Sequence, residues 1–400
     1  MNDGARPLRI ALLTWEYPPA TSGLPRAARE VAQALAGAGQ DVRVLALDRD
    51  GRSRDGDVEV IGARIAQASK LGRMRRRMAI GHLAAPIAFH RLLLREHARR
   101  PFDVAEGTNW FAPGLLAALR GPVPFVTRAS TPAQIGKDAR ATLRDRIDGR
   151  FVDALERRQA RSSAALISNT AAHRERIERF YDLHGWQGPH EAIAPPVDPA
   201  LLAAGRAASY PDGVDTEGAA SFLFVGRPDR RKGFDAIADA IVQIARRDAN
   251  ALKLRIVGSR TEDLPPSLRE GPAAGLVTAL GRLSEGDLAH EYARAHAVLA
   301  PSRSESFGYV YQEAMAYGRP LVACAEDASA RHFVGEPGAG LLAERCTGDD
   351  VADALSRIAS DRELRASLRR AALAAAGRCT REACAQATLE VYRRAVANAS

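Results

Sequence analysis

The stretch that decides the fold is PSRSESFGYVYQEAMAYGRPLVA, residues 301–323. It contains two carboxylates, Glu305 and Glu313, with seven residues between them. The pattern predicts a loop that carries Glu305 and a tight turn at Ser306, Phe307 and Gly308. A helix from about residue 309 to 318 and a buried strand at 320–323 are expected to follow. The stretch therefore predicts a turn at which a ligand can meet the start of a helix.

The chemistry of this turn favours a phosphorylated ligand. Gly308 lets the backbone approach a ligand closely. The start of the next helix offers free N–H groups and the positive end of a dipole, which suit a phosphate. Glu313 lies one turn into the helix and is expected to reach past the phosphates toward a ribose. Glu305 precedes the turn, where it can hold a sugar ring.

A second motif, GRPDRRKG at residues 226–233, follows a predicted buried strand at 221–225. Gly226 would open the turn, and Arg227 and Lys232 would place two cations at the end of the strand. Such cations stabilise a nucleotide diphosphate that leaves as an anion. Only four of the 57 basic residues are lysines (Lys70, Lys137, Lys232 and Lys253), which makes Lys232 noteworthy. The alternative is a basic turn on a basic protein.

These motifs together resemble a known family. The string E-S-F-G-x-x-x-x-E-A-M-A-x-G-x-P-L-V-A, with Gly226-Arg227 and Lys232-Gly233, is similar to the signature of family 4 of the retaining glycosyltransferases. The resemblance is strong over 221–323 and looser over 8–45. It implies a GT-B fold of class α/β, with two Rossmann-like doubly wound domains facing across a cleft. It also implies a nucleotide-sugar donor, retention of anomeric configuration and no metal or other cofactor.

The same resemblance assigns roles to individual residues. Arg227, Lys232 and Glu305 are the expected catalytic residues, and the remaining motif residues are expected to bind the donor. Arg282 and Leu283, which follow a predicted strand at 277–280, are expected to pack beside the nucleotide base. Front-face attack is implied, with the leaving phosphate accepting the acceptor's proton.

The N-terminal residues predict the opening unit of a doubly wound sheet. A strand at 8–14, a helix at 25–38 and a strand at 41–47 follow in order. The loop between the first two brings Ser22 and Gly23 to the carboxyl end of the first strand. The resembled family usually carries two adjacent glycines here to cup a diphosphate or a donor sugar. An ordinary strand-to-helix connection is the alternative.

We expect three segments. They are an N-terminal domain at 1–200 on the acceptor side, a C-terminal domain at 219–378 on the donor side, and a helix at 379–400. By resemblance, this helix crosses back to the N-terminal domain. Residues 199–218, rich in Ala, Gly and Asp, are predicted to be a hinge linker, and residues 48–57 a polar loop.

The net charge of the chain limits the classes of binding partner that we expect. The formal net charge is +9, which favours anionic partners. No aromatic-and-basic recognition motif is evident, so nucleic acid is not expected as a partner. The basic run KLGRMRRR at 70–77 predicts a solvated loop before a core helix at 78–94. Contact with an anionic membrane or a lipid-linked acceptor is the less favoured alternative.

Arg128 directly follows a predicted strand at 124–127. In many members of the resembled family a histidine stands about here, close to the donor sugar. Arg128 therefore either replaces that histidine, or the alignment is displaced by a residue or two, or the side chain is an ordinary surface arginine.

Other classes are less well supported. Cys324, Cys346, Cys379 and Cys384 fit neither a zinc site nor a disulfide framework, so reduced thiols are expected. No signal peptide or apolar run of spanning length is present, so a cytoplasmic location is expected.

The predicted function is transfer of a sugar from a nucleotide-diphosphate sugar to a hydroxyl or amine of an acceptor. The acceptor is expected to be a small metabolite or antibiotic precursor, with a glycan or a lipid-linked acceptor left open. The alternatives are a nucleotide-sugar 2-epimerase of related fold and a non-catalytic basic binding protein.

Overall fold

The structure is a computed structural model that describes residues 6–20, 22–135, 142–211, 219–248 and 252–399. The chain divides into two compact units. The N-terminal unit contains Met1–Pro196 together with Cys379–Ser400, and the C-terminal unit contains Val197–Arg378. Each unit is built on its own sheet, and all strand pairs but one are parallel among the described residues. This confirms the predicted α/β class with two Rossmann-like domains.

The N-terminal unit has a sheet of eight strands within the described residues, in the order β3-β4-β2-β1-β5-β6-β7-β8. The strands are β1 (Arg9–Thr14), β2 (Asp41–Ala46), β3 (Asp50–Asp55), β4 (Val58–Ala63), β5 (Val104–Thr108), β6 (Phe125–Arg128), β7 (Ala165–Ser168) and β8 (His190–Ala192). The helices are α1 (Gly23–Gly37), α2 (Lys70–Arg75), α3 (Ala84–Arg99), α4 (Leu115–Arg120), α5 (Leu143–Ser162) and α6 (Ala171–Phe180).

Strand β1 lies near the centre of this sheet, between β2 and β5. Its run of apolar residues from Ile10 to Leu13 is buried, as expected for a parallel strand covered on both faces. The strand order reverses between β1 and β5, which makes the carboxyl ends of these two strands the switch point where open α/β sheets bind ligands.

The predicted polar loop at 48–57 is wrong. Residues 50–55 form the edge strand β3, which pairs antiparallel with β4. Its sequence, DGRSRD, contains no apolar residue because its side chains are largely exposed at the sheet edge. A two-residue turn joins the strands and begins at Gly56, whose φ of +59° suits glycine. The Gly56-Asp57 pair was the available hairpin signal.

The C-terminal unit has a parallel sheet of six strands within the described residues, in the order β11-β10-β9-β12-β13-β14. The strands are β9 (Ala220–Val225), β10 (Leu252–Val257), β11 (Val277–Gly281), β12 (Ala297–Leu299), β13 (Leu321–Cys324) and β14 (Gly340–Ala343). The helices are α7 (Pro199–Ala207), α8 (Phe234–Arg247), α9 (Pro266–Arg269), α10 (Glu285–Arg294), α11 (Tyr309–Ala316), α12 (Ala328–Ala330), α13 (Gly348–Ser360) and α14 (Arg362–Ala375). The order reverses between β9 and β12, so this sheet also has a switch point.

The proposed hinge linker at 199–218 is corrected in its first half, because residues 199–207 form helix α7. The Asp198 side chain caps this helix by accepting a hydrogen bond from the Ala200 N–H at 2.9 Å. Pro199 occupies the first turn, which proline tolerates. Residues 212–218 lie outside the described residues. The predicted solvated loop at 70–77 is likewise corrected, since its first six residues form α2.

The last helix, α15 (Arg381–Ala397), belongs to the N-terminal unit and packs along α1. Arg381 pairs with the buried Glu30 of α1 at 2.7 Å. The Tyr392 hydroxyl donates to Glu106 Oε2 of β5 at 2.8 Å. Across the described residues, no helix combines the length and the apolar character needed to cross a bilayer.

Candidate active site

The two predicted motifs meet at the switch point of the C-terminal sheet. Lys232 follows β9 and Glu305 follows the neighbouring strand β12. Lys232 Nζ lies 2.5 Å from Glu305 Oε1. Because this is the edge at which doubly wound sheets bind ligands, the contact places a cation and a carboxylate where a substrate is expected.

The lysine loop is held in shape by its own residues. The Asp229 side chain accepts a hydrogen bond from the Lys232 N–H at 3.0 Å and so closes a short 3₁₀ turn. Gly233 follows with φ +69°, and a Cβ at this position would overlap the Pro301 carbonyl oxygen. Glycine at 233 therefore lets the lysine loop lie directly against the loop that carries Glu305.

Glu305 is surrounded by donors. Besides Lys232, Arg231 Nη1 lies 3.3 Å from Oε2 and Ser302 Oγ donates to Oε1 at 2.9 Å. The side chain is 11% exposed. Burial alone would raise the pKa of Glu305, but the charges of Lys232 and Arg231 and the hydrogen bonds outweigh it and lower the pKa. The carboxylate is therefore ionised and ready to accept hydrogen bonds from a ligand.

The backbone of Glu305 is fixed by a buried group that the sequence did not reveal. Asp327 Oδ1 accepts from the Glu305 N–H, and Asp327 Oδ2 accepts from the Tyr311 hydroxyl, both at 2.9 Å. Ser329 Oγ donates to the Glu305 carbonyl oxygen at 3.0 Å. Burial raises the pKa of Asp327, partly offset by these hydrogen bonds. Asp327 thus connects the glutamate loop to α11 and α12.

Arg231, Ser302, Asp327 and Ser329 are the site residues that sequence reasoning missed. Arg231 was hidden within the run Arg230-Arg231-Lys232, where nothing in the order of residues separates an inward cation from solvated ones. Asp327 carried a weak signal, because an Asp two or three residues after a buried strand is a common helix cap. It does cap the short helix α12.

The turn at Gly308 has the geometry expected for close approach of a ligand. Gly308 adopts φ +81° and forms the N-cap of α11, which begins at Tyr309 as predicted. A Cβ at 308 would overlap the Tyr311 ring. A small cavity lies at this turn; its lining residues are Phe224, Val225, Lys232, Ala300, Ser302, Glu305, Gly308, Val310 and Tyr311. The cavity thus joins both charged side chains to the start of α11.

Two other turn residues serve mainly in packing. The Phe307 ring is buried and meets Tyr309 and Phe333 edge to face, with centroid distances of 4.9 and 5.2 Å. Ser306 beside it is half-buried. Phe307 could therefore contact a donor only through its backbone. Part of the Ser306 side chain is exposed and could also contact a donor.

Glu313 lies deeper than predicted. Its side chain is buried, and its Oε2 accepts a hydrogen bond from the Tyr292 hydroxyl at 2.5 Å. It does not line the cavity that contains Lys232 and Glu305. The ribose-binding role of Glu313 stays a prediction that requires the ligand to share or replace the Tyr292 contact.

The remaining predicted donor-binding residues of the C-terminal unit lie outside the cavity lining. Arg227 is 79% exposed and lies 3.6 Å from Asp229, within the same loop as Lys232. Gly226 directly follows β9 and has φ +150°. Arg282 is exposed and Leu283 is half-buried, directly after the edge strand β11. Their assignments stay predictions.

In the N-terminal unit, Ser22 and Gly23 stand where the sequence predicted, after β1 at the switch point. Gly23 is the first residue of α1. Ser22 is its N-cap, with an extended backbone and no hydrogen bond from its side chain to the helix. The predicted diphosphate or sugar contact at the first turn of α1 stays a prediction.

The surface interpretation of Arg128 is wrong. Arg128 is buried and makes two hydrogen bonds to Glu106, from Nε at 2.9 Å and from Nη2 at 3.1 Å. Nη2 also donates to Thr388 Oγ1 of α15 at 3.0 Å. Because Glu106 also binds Tyr392, the pair anchors the last helix. A contact of Arg128 with the donor sugar stays a prediction.

Two family models match the chain. Residues 22–190 match "Glycosyl transferase 4-like domain" and residues 212–374 match "Glycosyl transferases group 1". Among curated proteins, the chain is 33% identical to a D-inositol 3-phosphate glycosyltransferase of Kineococcus radiotolerans, over 75% of this chain and 73% of that protein. It is 31% identical to a protein of the same name from Frankia alni, over 75% of this chain and 76% of the relative.

Solved structures share the fold. Sucrose-phosphate synthase from Thermosynechococcus elongatus superposes with a TM-score of 0.74 at 22% identity, covering 98% of this chain and all of that one. Anabaena Alr3699/HepE, solved with UDP and glucose, gives a TM-score of 0.67 at 16% identity, covering 96% and 99%. With the matched models and relatives, these findings confirm that the chain belongs to glycosyltransferase family 4 and has the GT-B fold.

Proposed function

We propose that this glycosyltransferase moves a sugar from a nucleotide-diphosphate sugar to a hydroxyl or amine of its acceptor, with retention of anomeric configuration. The observation that carries the proposal is the contact between Lys232 and Glu305 at the switch point of the C-terminal sheet. It joins one cation and one carboxylate beside the N-terminus of α11, and these are the groups that a diphosphate and a sugar require.

Lys232 stabilises the leaving diphosphate. Its ammonium carries three donors, so it can keep Glu305 as a partner and still bind a phosphate oxygen. The first turn of α11 contributes N–H groups and the positive dipole end. Arg231 adds a second positive charge within 3.3 Å of the same carboxylate. These cations supply the charge that a divalent metal supplies elsewhere, so the proposed reaction needs no metal.

Glu305 binds the transferred sugar. Its lowered pKa keeps it an acceptor for sugar hydroxyls at neutral pH. Its backbone, fixed by Asp327 and Ser329, limits how far it can move during the reaction. In front-face attack the acceptor approaches from the side of the leaving group, and the departing phosphate takes the acceptor's proton. Catalysis then rests on positioning and on stabilisation of the leaving group.

The acceptor is proposed to be a small polar metabolite. The curated relatives carry the name D-inositol 3-phosphate glycosyltransferase and match three quarters of this chain. A phosphorylated polyol is therefore the first acceptor to test, before antibiotic precursors, glycans and lipid-linked acceptors. Neither the nucleotide-sugar 2-epimerase nor the non-catalytic binding protein receives support from the comparisons.

A donor and acceptor screen tests this proposal. Thermal unfolding is measured with UDP-, GDP-, ADP- and dTDP-sugars, and the stabilising donor is then incubated with D-inositol 3-phosphate and with unphosphorylated polyols. The expected results are a glycoside with the donor's anomeric configuration, measured by proton NMR coupling, and turnover unaffected by EDTA. A product with inverted anomeric configuration would contradict retention, and loss of turnover in EDTA would contradict the metal-free reaction. An epimerised free donor would contradict sugar transfer itself.

A further inference from the structure

One surface of the N-terminal unit exposes large apolar side chains beside arginines. Five of the seven large apolar residues that are exposed in the described part of the chain lie here, and they are between 37% and 67% exposed. They are Met78, Ile80, Trp110, Leu143 and Ile147. Together with the cations Arg73, Arg75, Arg76 and Arg77 they are called the apolar–basic surface below. The other two, Leu94 and Leu119, lie on α3 and α4.

A hydrogen bond between two segments connects parts of this surface. The Ala79 N–H, between Met78 and Ile80, donates to Asp148 Oδ1 at 2.5 Å. Asp148 lies on α5 directly after Ile147, and Leu143 lies one turn earlier on the same helix. The segment that follows α2 is therefore bound to the α5 helix that carries the other two aliphatic side chains.

Aromatic contacts extend the surface to Trp110. His82 stacks on Phe111 at a centroid distance of 5.4 Å, and Phe111 packs against Trp110 at 4.8 Å. Trp15 Nε1 donates to the Trp110 carbonyl oxygen at 2.9 Å. The Arg75 guanidinium lies 6.0 Å from the centroid of the Trp15 ring. Residues from three separate stretches of sequence thus form one connected surface.

The segment that contains α2 and the residues after it carries basic but no acidic side chains. Residues 60–95 contain no Asp or Glu, but they contain Lys70 and seven arginines, including the four of the apolar–basic surface. All four of those arginines are exposed. Exposed cations next to exposed aliphatic and aromatic side chains complement a surface whose outer layer is anionic and whose interior is apolar.

The backbone is strained at the same place. Of the four residues other than glycine with positive φ in the described chain, Ala79, Phe111 and Ala112 belong to this region, at +54°, +57° and +47°. Such conformations persist where the surroundings fix them. Here the Ala79 N–H is bound by Asp148, and the Phe111 N–H donates to the buried Glu156 at 2.9 Å. The loops that expose Met78, Ile80 and Trp110 are therefore held in place rather than loosely packed.

From these observations we infer that the apolar–basic surface docks the enzyme onto an anionic phospholipid bilayer. Met78, Ile80 and Trp110 enter the interface between headgroups and acyl chains, while Arg76 and Arg77 bind lipid phosphates. Nucleic acid offers the same negative charge but no apolar layer for exposed aliphatic side chains. A bilayer is therefore the occupant that matches both halves of the surface.

The test measures binding of the full chain to vesicles, without reference to activity. Vesicles of phosphatidylcholine with about 30% phosphatidylglycerol are compared with pure phosphatidylcholine by co-sedimentation. Binding is expected only with the anionic lipid, together with a blue shift of tryptophan fluorescence. The double variant Arg76→Gln/Arg77→Gln should weaken partition about 25-fold, at about fivefold per arginine. The double variant Met78→Ser/Ile80→Ser should weaken it at least about tenfold.

Matched variants distinguish this surface from the general charge of the chain. Arg246→Gln/Arg247→Gln removes two exposed arginines of α8, and Leu94→Ser/Leu119→Ser removes two exposed leucines elsewhere. Both controls should bind anionic vesicles as the wild type does, and circular dichroism should show that all variants are folded. Equal losses in the controls, or equal binding to both vesicle types, would overturn the inference. So would tight binding of duplex DNA that competes with vesicles and is insensitive to Met78→Ser/Ile80→Ser.

Discussion

Lys232 and Glu305 lie 73 residues apart in sequence, and their charged atoms are 2.5 Å apart in the structure. The contact joins the loops that follow two neighbouring strands, β9 and β12, at the switch point of the C-terminal sheet. The Glu305 carboxylate is paired with both Lys232 and Arg231. Together these side chains provide the charges that a nucleotide-diphosphate sugar needs once it binds.

Replacement of Lys232 tests the leaving-group role. The Lys232→Ala variant should lower kcat by about 10²–10³, because a charge aimed at the leaving group acts mostly in the transition state. Lys253→Ala is the matched control, since Lys253 lies on β10 outside the cavity. Steady-state assays with the donor from the screen measure both. Unchanged kcat for Lys232→Ala would show that the phosphate assignment is wrong.

Replacement of each of the two motif carboxylates should have a different effect on sugar transfer and on nucleotide binding. Glu305→Gln is expected to reduce sugar transfer much more than affinity for the free nucleotide diphosphate, because its carboxylate is assigned to the sugar. Glu313→Gln is the comparison, and it should weaken nucleotide binding if Glu313 leaves Tyr292 to bind the ribose. Calorimetric titration of the free nucleotide and assays of transfer measure both quantities. Equal losses of both in Glu305→Gln would count against this division of roles.

Asp327 should act by positioning Glu305. Asp327→Ala leaves the Glu305 N–H and the Tyr311 hydroxyl without their buried acceptor, and each such group costs about 1–3 kcal/mol. The free energy of unfolding in urea should therefore fall by about 2–6 kcal/mol. At a temperature where the variant is folded, kcat should fall while KM for the donor changes little, and Asp327→Asn should recover part of kcat. A fall in stability alone would indicate a purely structural role.

The raised pKa of Glu156 predicts that the stability of the N-terminal unit depends on pH. The carboxyl is buried, and burial raises its pKa to about 7 despite hydrogen bonds from Tyr181, Phe111 and Ala133. A folded pKa above the ordinary value of 4.5 means that its contribution to stability is full below 4.5 and is lost as the pH rises through 7.

The variant Glu156→Gln removes this titration. Its free energy of unfolding relative to the wild type should therefore rise by about 3 kcal/mol between pH 4.5 and pH 8. Urea unfolding at several pH values measures the difference, and Glu175→Gln on α6 is a control at a position where this buried network is absent. A difference that does not vary with pH would contradict the assignment.

Arg128 should be a stabilising residue of the N-terminal unit. Arg128→Leu leaves the Glu106 carboxylate buried without its cation, which typically costs about 3–5 kcal/mol. Arg120→Ala, at an exposed arginine that ends α4, should change stability by less than about 0.5 kcal/mol. Thermal unfolding measures both variants. Wild-type stability of Arg128→Leu with a large rise in KM for the donor would instead support a direct sugar contact.

The sequence predicted the central strands because they are apolar and buried on both faces. The runs IALLT in β1, SFLFV in β9 and LVAC in β13 have no competing interpretation, and the motif GRPDRRKG follows the second of them directly. The polar strand β3 could not be predicted in this way, because an edge strand with solvated side chains lacks the hydrophobic pattern. Helix α7 was hidden by an Ala- and Gly-rich composition that is also typical of linkers.

The local geometry of the candidate site could be predicted from the sequence, whereas its tertiary contacts could not. Gly308 and the start of α11 follow from the local sequence, whereas the acceptor for the Glu305 N–H comes from Asp327, 22 residues away. Arg128 illustrates the same limit, because its partners Glu106 and Thr388 come from β5 and from the last helix. Such partners are determined by packing that no single stretch of sequence encodes.

The most direct test of the central claim is a crystal structure with a nucleotide-diphosphate sugar that the thermal screen identifies. The expected result is that diphosphate oxygens lie at about 3 Å from Lys232 Nζ and that the sugar hydroxyls bind Glu305. Phosphorus atoms bound at another edge of the C-terminal sheet, with the Lys232–Glu305 contact left untouched, would contradict it.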